Sequence, residues 1–294
     1  MKHIFIVNKK SLGNRMVSCM RAINNICGSN KLTYDIWITE SIEELKAYIT
    51  QHSKKYYTGD SVFYAVGGDG TFNCLVNTVN LSNHIVQYLP FGTGNNAYKA
   101  FYDQEFNLKD DILSDNIVKA DLGHVNDEYF TVMCGLGLDP KIGRNVGKFR
   151  NFPFPGKMKY QLATVGSLIF ENKPIDVKLE YDEKTIQKIF TMINIVNGPT
   201  IGGNVSVAPT ANPYNGKLHG VLTSEISSLY LLKLFLELAK GKQITDPNIE
   251  EITFEKIKIT GKEPLLYEID GEIRTANELD IKVCPKVLKL KGKR

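Results

Sequence analysis

The chain has 294 residues, of which 43% are hydrophobic and 23% charged, and its net charge is +4. That length accommodates two domains of roughly 100–200 residues, each with its own core, and so mild a charge balance argues against nucleic acid as a partner. The five cysteines, Cys19, Cys27, Cys74, Cys134 and Cys284, are odd in number and form no C-x-x-C pair, which excludes a disulfide framework or zinc site from the expectation and favours a reducing cytoplasm.

In chain order, residues 4–7 read as a strand too short and too soon followed by polar residues for a signal peptide. Residues 15–26 space Met16, Met20, Ile23 and Ile26 as a helix does, and residues 34–38 read as a strand. Residues 41–49 form the next helix, with Ser41 as N-cap and Glu44 three residues later. A strand at 62–66, a helix at 72–79 and a strand at 85–89 follow. This alternation predicts βαβ units and a mostly parallel sheet covered on both faces. Beyond residue 120 strands dominate, at 129–134, 175–181, 189–196, 218–223, 252–259, 265–269 and 279–283, with helices only at 159–170 and 228–240. The expected architecture is an α/β N-terminal domain, residues 1–120, and a mainly antiparallel β second domain, residues 121–285. The closing basic run, 282–294, reads as a solvated tail, whether or not its last residues, about 286–294, return to the first domain.

No segment offers the ~18 apolar residues of a membrane span. Residues 229–239 are strongly apolar, but Lys233, Glu237 and Lys240 recur on one face, the pattern of a core helix. Residues 140–170 contain no acid and carry Lys141, Arg144, Lys148, Arg150, Lys157 and Lys159 among aromatic residues. Cations attract anionic headgroups and aromatics favour the interface, so this segment is expected to touch a membrane surface or border a lipid entrance. The five histidines show no ligand spacing.

The sharpest motif is Gly67-Gly68-Asp69-Gly70-Thr71, between an apolar strand and a helix. Glycines let backbone amides approach an anion, and the helix N-terminus favours phosphate. Asp69 would repel phosphate, so its natural partner is a divalent cation, direct or through water, or a donor in the loop. A second glycine turn, Gly92-Thr93-Gly94-Asn95, also follows a strand. Parallel strands end at one edge. Asn8, Lys9, Lys10 and Ser11 after the first strand, and Thr39 after the second, are expected at that edge with both glycine turns, as a nucleotide crevice requires.

These motifs, with Asn73, Ala120-Asp121-Leu122-Gly123, Cys134-Gly135-Leu136-Gly137-Leu138-Asp139, Ala208-Pro209, Asn215-Gly216 and Asp270-Gly271-Glu272, give a chain that resembles the diacylglycerol kinase catalytic-domain family. That family includes bacterial lipid kinases and sphingosine kinases and belongs with the NAD kinases in a wider superfamily. The resemblance implies ATP in a cleft between the domains, Mg2+ as cofactor, and a lipid alcohol, with diacylglycerol leading, as acceptor. Asn8, Lys9, Lys10, Ser11, Thr39, Gly67, Gly68, Asp69, Gly70, Thr71, Asn73, Gly92, Thr93, Gly94 and Asn95 would hold the nucleotide. Asp69 and Asp121 would belong to the magnesium network, through water, and Glu272 matches the general base. An aliphatic hydroxyl is a poor acid, so a carboxylate that takes its proton suits the reaction.

The chain departs from the family pattern at Asn96, where an Asp is usual, at Cys74, where a Glu is frequent, and at Lys9, where a Pro stands. Asn215 and Lys217 occupy a loop that holds a structural magnesium in some relatives, and a neutral and a cationic residue disfavour one here. The implied partners are a lipid alcohol, an anionic membrane met peripherally from the cytoplasm, and a second copy in a homodimer, with no nucleic acid. The competing expectations are a NAD kinase-like activity and a nucleotide-binding regulator weakened in catalysis.

Overall fold

The computed structural model describes residues 1–53, 61–148, 164–201, 205–239 and 245–292. It divides into two compact units, Met1–Leu122 with Pro285–Arg294, and Gly123–Cys284.

In the first unit β1 (Lys2–Asn8) leads through a short helix α1 (Lys9–Leu12) and a 3-10 turn into α2 (Met16–Ser29). Then come β2 (Thr33–Thr39), α3 (Ile42–Ser53), β3 (Ser61–Gly67), α4 (Asp69–Thr78), β4 (Ile85–Pro90), α5 (Asn96–Phe101) and α6 (Leu108–Leu113). The strands lie in the order β2-β1-β3-β4, and every neighbouring pair is parallel. β3 is buried at every position, which is why it reads as an unbroken apolar run rather than an alternating one. α3 starts as its capping box directs: Ser41 Oγ accepts the Glu44 N–H at 3.2 Å, and Glu44 reaches back to the Glu40 N–H at 2.8 Å. One core of this unit packs Phe5, Val7, Ile23, Tyr64, Val66 and Leu89.

The second unit is largely antiparallel. Its elements are β5 (Ile117–Val125), which begins in the first unit, β6 (Glu128–Phe130), β7 (Met133–Gly137), α7 (Asp139–Lys148) and a helix α8 over residues 164–170. β8 (Ile175–Tyr181), β9 (Lys184–Val196), β10 (Thr200–Ile201), β11 (Val205–Ser206), β12 (Leu218–Ser224) and α9 (Ser228–Ala239) follow. β13 (Ile249–Phe254), β14 (Lys256–Ile269) and β15 (Glu272–Lys291) complete the chain. The strand order is β13-β12-β9-β7-β14-β15, with β8 paired to both β9 and β14. A core sits here, among Phe130, Leu179, Ile193, Ile195, Ile257 and Ile281. α7, α8 and α9 gather in a separate cluster on Leu138, Ile142, Leu168 and Leu231.

Four expectations change. The strand expected at 129–134 is two strands, because the Asp270 carboxylate takes the amides of Thr131, Val132 and Met133. The strand expected at 252–259 divides at Glu255, where β13 pairs with β12 and β14 with β8 and β15. A helix, α7, opens the segment 140–170, and its cations Lys141 and Arg144 bond the backbone and carboxylate at Glu171. Residues 149–163, with Arg150, Lys157, Lys159 and the start of the helix expected at 159, lie outside the described residues. Finally, the basic run at the end is no solvated tail through residue 292: Leu288, Leu290 and Lys291 are buried, and Leu290 pairs with Val86 of β4. Leu288 and Leu290 alternate along the strand and so share one face, which meets the core, while the Lys289 ammonium reaches the Ser82 carbonyl.

Candidate functional site

The parallel register sets Asn8 beside Thr39 and Gly67 beside Pro90, so the first four strands end at one edge. Asn8 works in two directions there. Its Oδ1 accepts the Ser11 N–H at 3.2 Å, which caps α1, and its Nδ2 donates to Thr71 Oγ1 at 3.1 Å. The first strand end is thereby tied to the glycine loop. Thr39 is buried, and its hydroxyl donates to the Val7 carbonyl at 3.4 Å. Lys9 is exposed in an ion pair with Glu40, and Lys10 is exposed. Asn73, on the first turns of α4, accepts from Asn77 Nδ2.

The two glycine turns touch. The Phe91 N–H donates to the Gly67 carbonyl at 2.7 Å. A Cβ on Gly92 would lie 2.6 Å from Gly68 Cα, closer than any side chain allows, and one on Gly67 would lie 2.5 Å from Thr71 Oγ1. Replacing Gly92 by Ala must therefore push two backbones apart, at a cost of about 1–3 kcal/mol. The expected result is a lower Tm. Gly70→Ala is the control for stability, since its Cβ would meet nothing within 4 Å. An unchanged Tm for Gly92→Ala would show that the two turns do not depend on this contact.

Asp69 lies on α4 but bonds the second turn. Its Oδ2 accepts the Asn96 N–H at 3.0 Å and Asn96 Nδ2 at 3.4 Å; its Oδ1 accepts the Ala97 N–H at 3.1 Å and the Tyr88 hydroxyl at 3.2 Å. The carboxylate thus caps α5, whose first amides have no partner inside the helix. Asn96 explains itself here, because its neutral amide donates where a second carboxylate would repel. Asn95 adopts the left-handed conformation, φ 54°, and its Nδ2 reaches the Pro90 and Gly92 carbonyls, both at 3.3 Å. Asparagine tolerates that backbone better than most residues. Thr93 is exposed beside it, and Cys74 is buried in α4.

Sequence reasoning missed two residues of this edge. Tyr88 is fully buried in β4, and its hydroxyl lies between Asp69 Oδ1 and Asn95 Oδ1. Burial, then the Asp69 charge, pushes its ionisation far above the ordinary phenol range, so it remains a donor. An apolar strand hides such a tyrosine from motif reading. Arg15 donates to the Phe91 carbonyl at 2.5 Å and binds the end of the first loop to the second turn.

Asp121 stands on β5, buried, and its Oδ1 accepts the Lys286 N–H at 2.8 Å where β15 bends through a positive φ of 56°. Asn215 turns inward on its own loop, its Oδ1 accepting the Lys217 N–H at 3.0 Å.

In the second unit Asp270 and Gly271 form the two-residue turn between β14 and β15, both at positive φ, 47° and 94°. Such turns require that backbone, which Asp-Gly supplies. The Asp270 carboxylate accepts four bonds of 2.7–2.9 Å, from the Thr131, Val132 and Met133 amides and the Thr131 hydroxyl. Glu272 follows at the start of β15. Its side chain is 72% exposed, and Oε2 lies 3.8 Å from Arg274 Nη1. Arg274 is itself held by Glu128 at 3.0 Å. Glu272 is therefore an accessible carboxylate on a clamped turn.

The chain matches two family models, the diacylglycerol kinase catalytic domain over residues 2–125 and the YegS C-terminal NAD kinase beta sandwich-like domain over residues 132–292. It is 29% identical over 290 residues to proteins named "Putative lipid kinase" from Staphylococcus aureus strains MSSA476 and MW2, covering 96% of this chain and 92% of each relative. Its fold is similar to a crystal structure described as a "putative diacylglycerol kinase" from Bacillus anthracis str. Sterne, with TM-score 0.79, 18% identity, and coverage of 99% of this chain and 97% of that one. The glycine turns, the Asp-Gly-Glu hairpin and these matches lead to one conclusion: the chain belongs to the diacylglycerol kinase catalytic-domain family, with an α/β N-terminal half and a YegS-type β-rich C-terminal half.

Proposed function

We propose that the chain is an ATP-dependent lipid kinase that transfers the γ-phosphate to a lipid hydroxyl, with diacylglycerol as the leading acceptor and phosphatidic acid as its product. The observation that carries this reading is the contact of the two glycine turns at Gly68 and Gly92, beside the N-terminus of α4, in a chain of this family. Backbone amides brought that close to open space suit triphosphate oxygens.

Among the described residues no group of three or more His, Cys, Asp or Glu side chains could hold a metal. The donor set fits a magnesium carried mainly by phosphate oxygens and water, with Asp69 and Asp121 as outer acceptors. When bound, that ion offsets the charge of the phosphates. Asp69, fixed by Asn96, Ala97 and Tyr88, keeps the two turns in one arrangement before nucleotide arrives. Glu272, an exposed acid on a clamped hairpin, takes the proton of the acceptor hydroxyl as that oxygen bonds the γ-phosphorus and the bond from the γ-phosphorus to the β–γ bridging oxygen breaks, releasing ADP. Radiolabelled ATP with a total lipid extract, and mass identification of the product, tests the reading. Labelled NAD in place of lipid would establish the NAD kinase reading instead, and binding of ATP–magnesium with no transfer across a broad lipid panel would establish a regulator.

Among the described residues no helix is long and apolar enough to cross a membrane. The proposed lipid kinase reaches its lipid from the cytoplasmic water side and serves phospholipid biosynthesis. Phe170 at 81% and Leu229 at 79% exposure, on α8 and α9, support contact with a bilayer surface. Reversing the charge of Lys148, Arg150, Lys157 and Lys159 is expected to weaken sedimentation with anionic vesicles, and equal sedimentation would remove the membrane role of that segment.

A further inference from the structure

A buried pair of acids lies in the second unit, apart from the residues assigned so far. Asp139 opens α7 and Glu268 stands on β14; both are buried, and their carboxyls are neighbours. Glu268 lies in register with Gly135 of β7, and Gly135 with Asn194 of β9. Residues so paired share one face of a sheet. On that face the missing side chain of Gly135 leaves room for Asp139, since a Cβ there would be 2.1 Å from Asp139 Oδ2. A Cβ on Gly143 of α7 would be 2.7 Å from Glu268 Oε2. Neither glycine has positive φ. Space for one carboxyl each, rather than backbone freedom, accounts for them.

Among the described residues no cation compensates the pair. On α7, Lys141 and Arg144 bond Glu171 and its neighbours. The titratable groups within electrostatic reach of the acids are Cys134 of β7 and Asp270 of the turn after β14, and β9 presents the neutral Asn194. Asp139 Oδ2 has no amide, hydroxyl or cationic donor among the described residues. Two ionised carboxylates in contact in so dry a place would repel strongly, whereas one proton between them satisfies both. Asp139, in the first turn of α7, is the better placed to carry the charge.

We propose that Asp139 and Glu268 share one proton at neutral pH, Glu268 donating to Asp139, and that this bond fastens α7 to the strand that leads into the Asp270–Gly271 turn and Glu272, making both acids positioning residues for Glu272. The positioning role rests on the kinase reading; the shared proton does not. Burial holds the Asp139 carboxyl up to about 6, and burial with the Asp139 charge holds Glu268 well above the carboxylate range. Both shifts are upward, so the native state binds protons that the unfolded chain has released. Stability from the pair is complete below the ordinary carboxylate range and is lost as pH rises, first through about 6 and then as Glu268 loses its proton.

The test uses the full chain without nucleotide, as wild type, Glu268→Gln and Asp139→Asn. Infrared spectra at neutral pH are expected to show the carbonyl stretch of a protonated carboxylic acid in wild type and in Asp139→Asn, but not in Glu268→Gln. Wild-type Tm is expected to fall from neutral to alkaline pH, while Glu268→Gln, whose amide donates at every pH, stays flat. No such band in wild type, or parallel Tm curves, overturns the shared proton. Should Glu268→Gln fail to fold, Asp139→Asn decides: without the Asp139 charge Glu268 releases its proton more readily, so the alkaline fall in Tm ends at lower pH than in wild type, and an unmoved fall overturns the pair. In lipid phosphorylation, wild-type kcat is expected to drop about tenfold per pH unit above the upper pKa of the pair, and Glu268→Gln to lack that limb. Parallel kcat profiles with the band present overturn the positioning role alone. Absence of transfer by either protein overturns the kinase reading and the positioning role together, and leaves the spectra and Tm to decide the proton.

Discussion

Glu272→Gln is expected to lower phosphoryl transfer about 10²–10⁴-fold, the range a positioned general base contributes, with no measurable change in Tm. The side chain is 72% exposed, and Arg274 keeps its two contacts with Glu128 whatever stands at 272. The amide is nearly isosteric but cannot accept a proton from an alcohol. ATP–magnesium affinity is expected to match wild type, because the residues of the glycine turns all lie in the first unit. The measurement is initial rate at saturating ATP and lipid, beside calorimetric ATP binding. Equal rates for the two proteins would remove Glu272 from the chemistry, while a parallel loss of Tm would reduce its role to structure.

The largest effect on stability is expected two residues earlier. Asp270→Asn exchanges a carboxylate that accepts four short bonds for a side chain whose Nδ2 must face an amide donor. Bonds to a charged acceptor are each worth about 1.5–3 kcal/mol, and orphaned buried amides add their own cost. A loss of about 3 kcal/mol or more is expected in urea denaturation of the second unit. Activity should fall as well, through displacement of the turn that carries Glu272. Asp270 and Glu272, neighbours in one motif, thus separate in assay: the first through stability and rate together, the second through rate alone. A Tm unchanged by Asp270→Asn would show that the 131–133 backbone finds its acceptors elsewhere.

The strand-helix alternation of the first unit was legible because β1, β3 and β4 are buried along nearly their whole length and therefore spell themselves as apolar runs. The Asp-Gly turn was legible too, since only a few residue types adopt its backbone. Its second function was not, because the Asp270 carboxylate reaches amides 137 to 139 positions away, and no local pattern encodes so distant a partner. α7 was missed for a different reason. Pro140, Gly143 and Gly147 depress helix propensity, and tertiary demands overrode it, among them the room Gly143 leaves for Glu268. The family motifs singled out Asp69 and Asp121, but could not show that the first caps α5 or that the second anchors the backbone of Lys286. Tyr88 was invisible among the apolar residues of its strand.

β15 runs for 20 residues and ends beside Val86 of β4, with Leu288 and Leu290 fully buried and the Tyr102 hydroxyl donating to the Lys291 carbonyl at 3.4 Å. The first 122 residues therefore cannot complete their core as the ribosome releases them. They must wait, with one border of the sheet unmatched, until residues 285–292 have been made. An unmatched border is a template for foreign strands, so nascent or truncated chains that stop before residue 285 are expected to need chaperones, and an excised 1–122 fragment to aggregate unless the peptide 285–292 is supplied in trans.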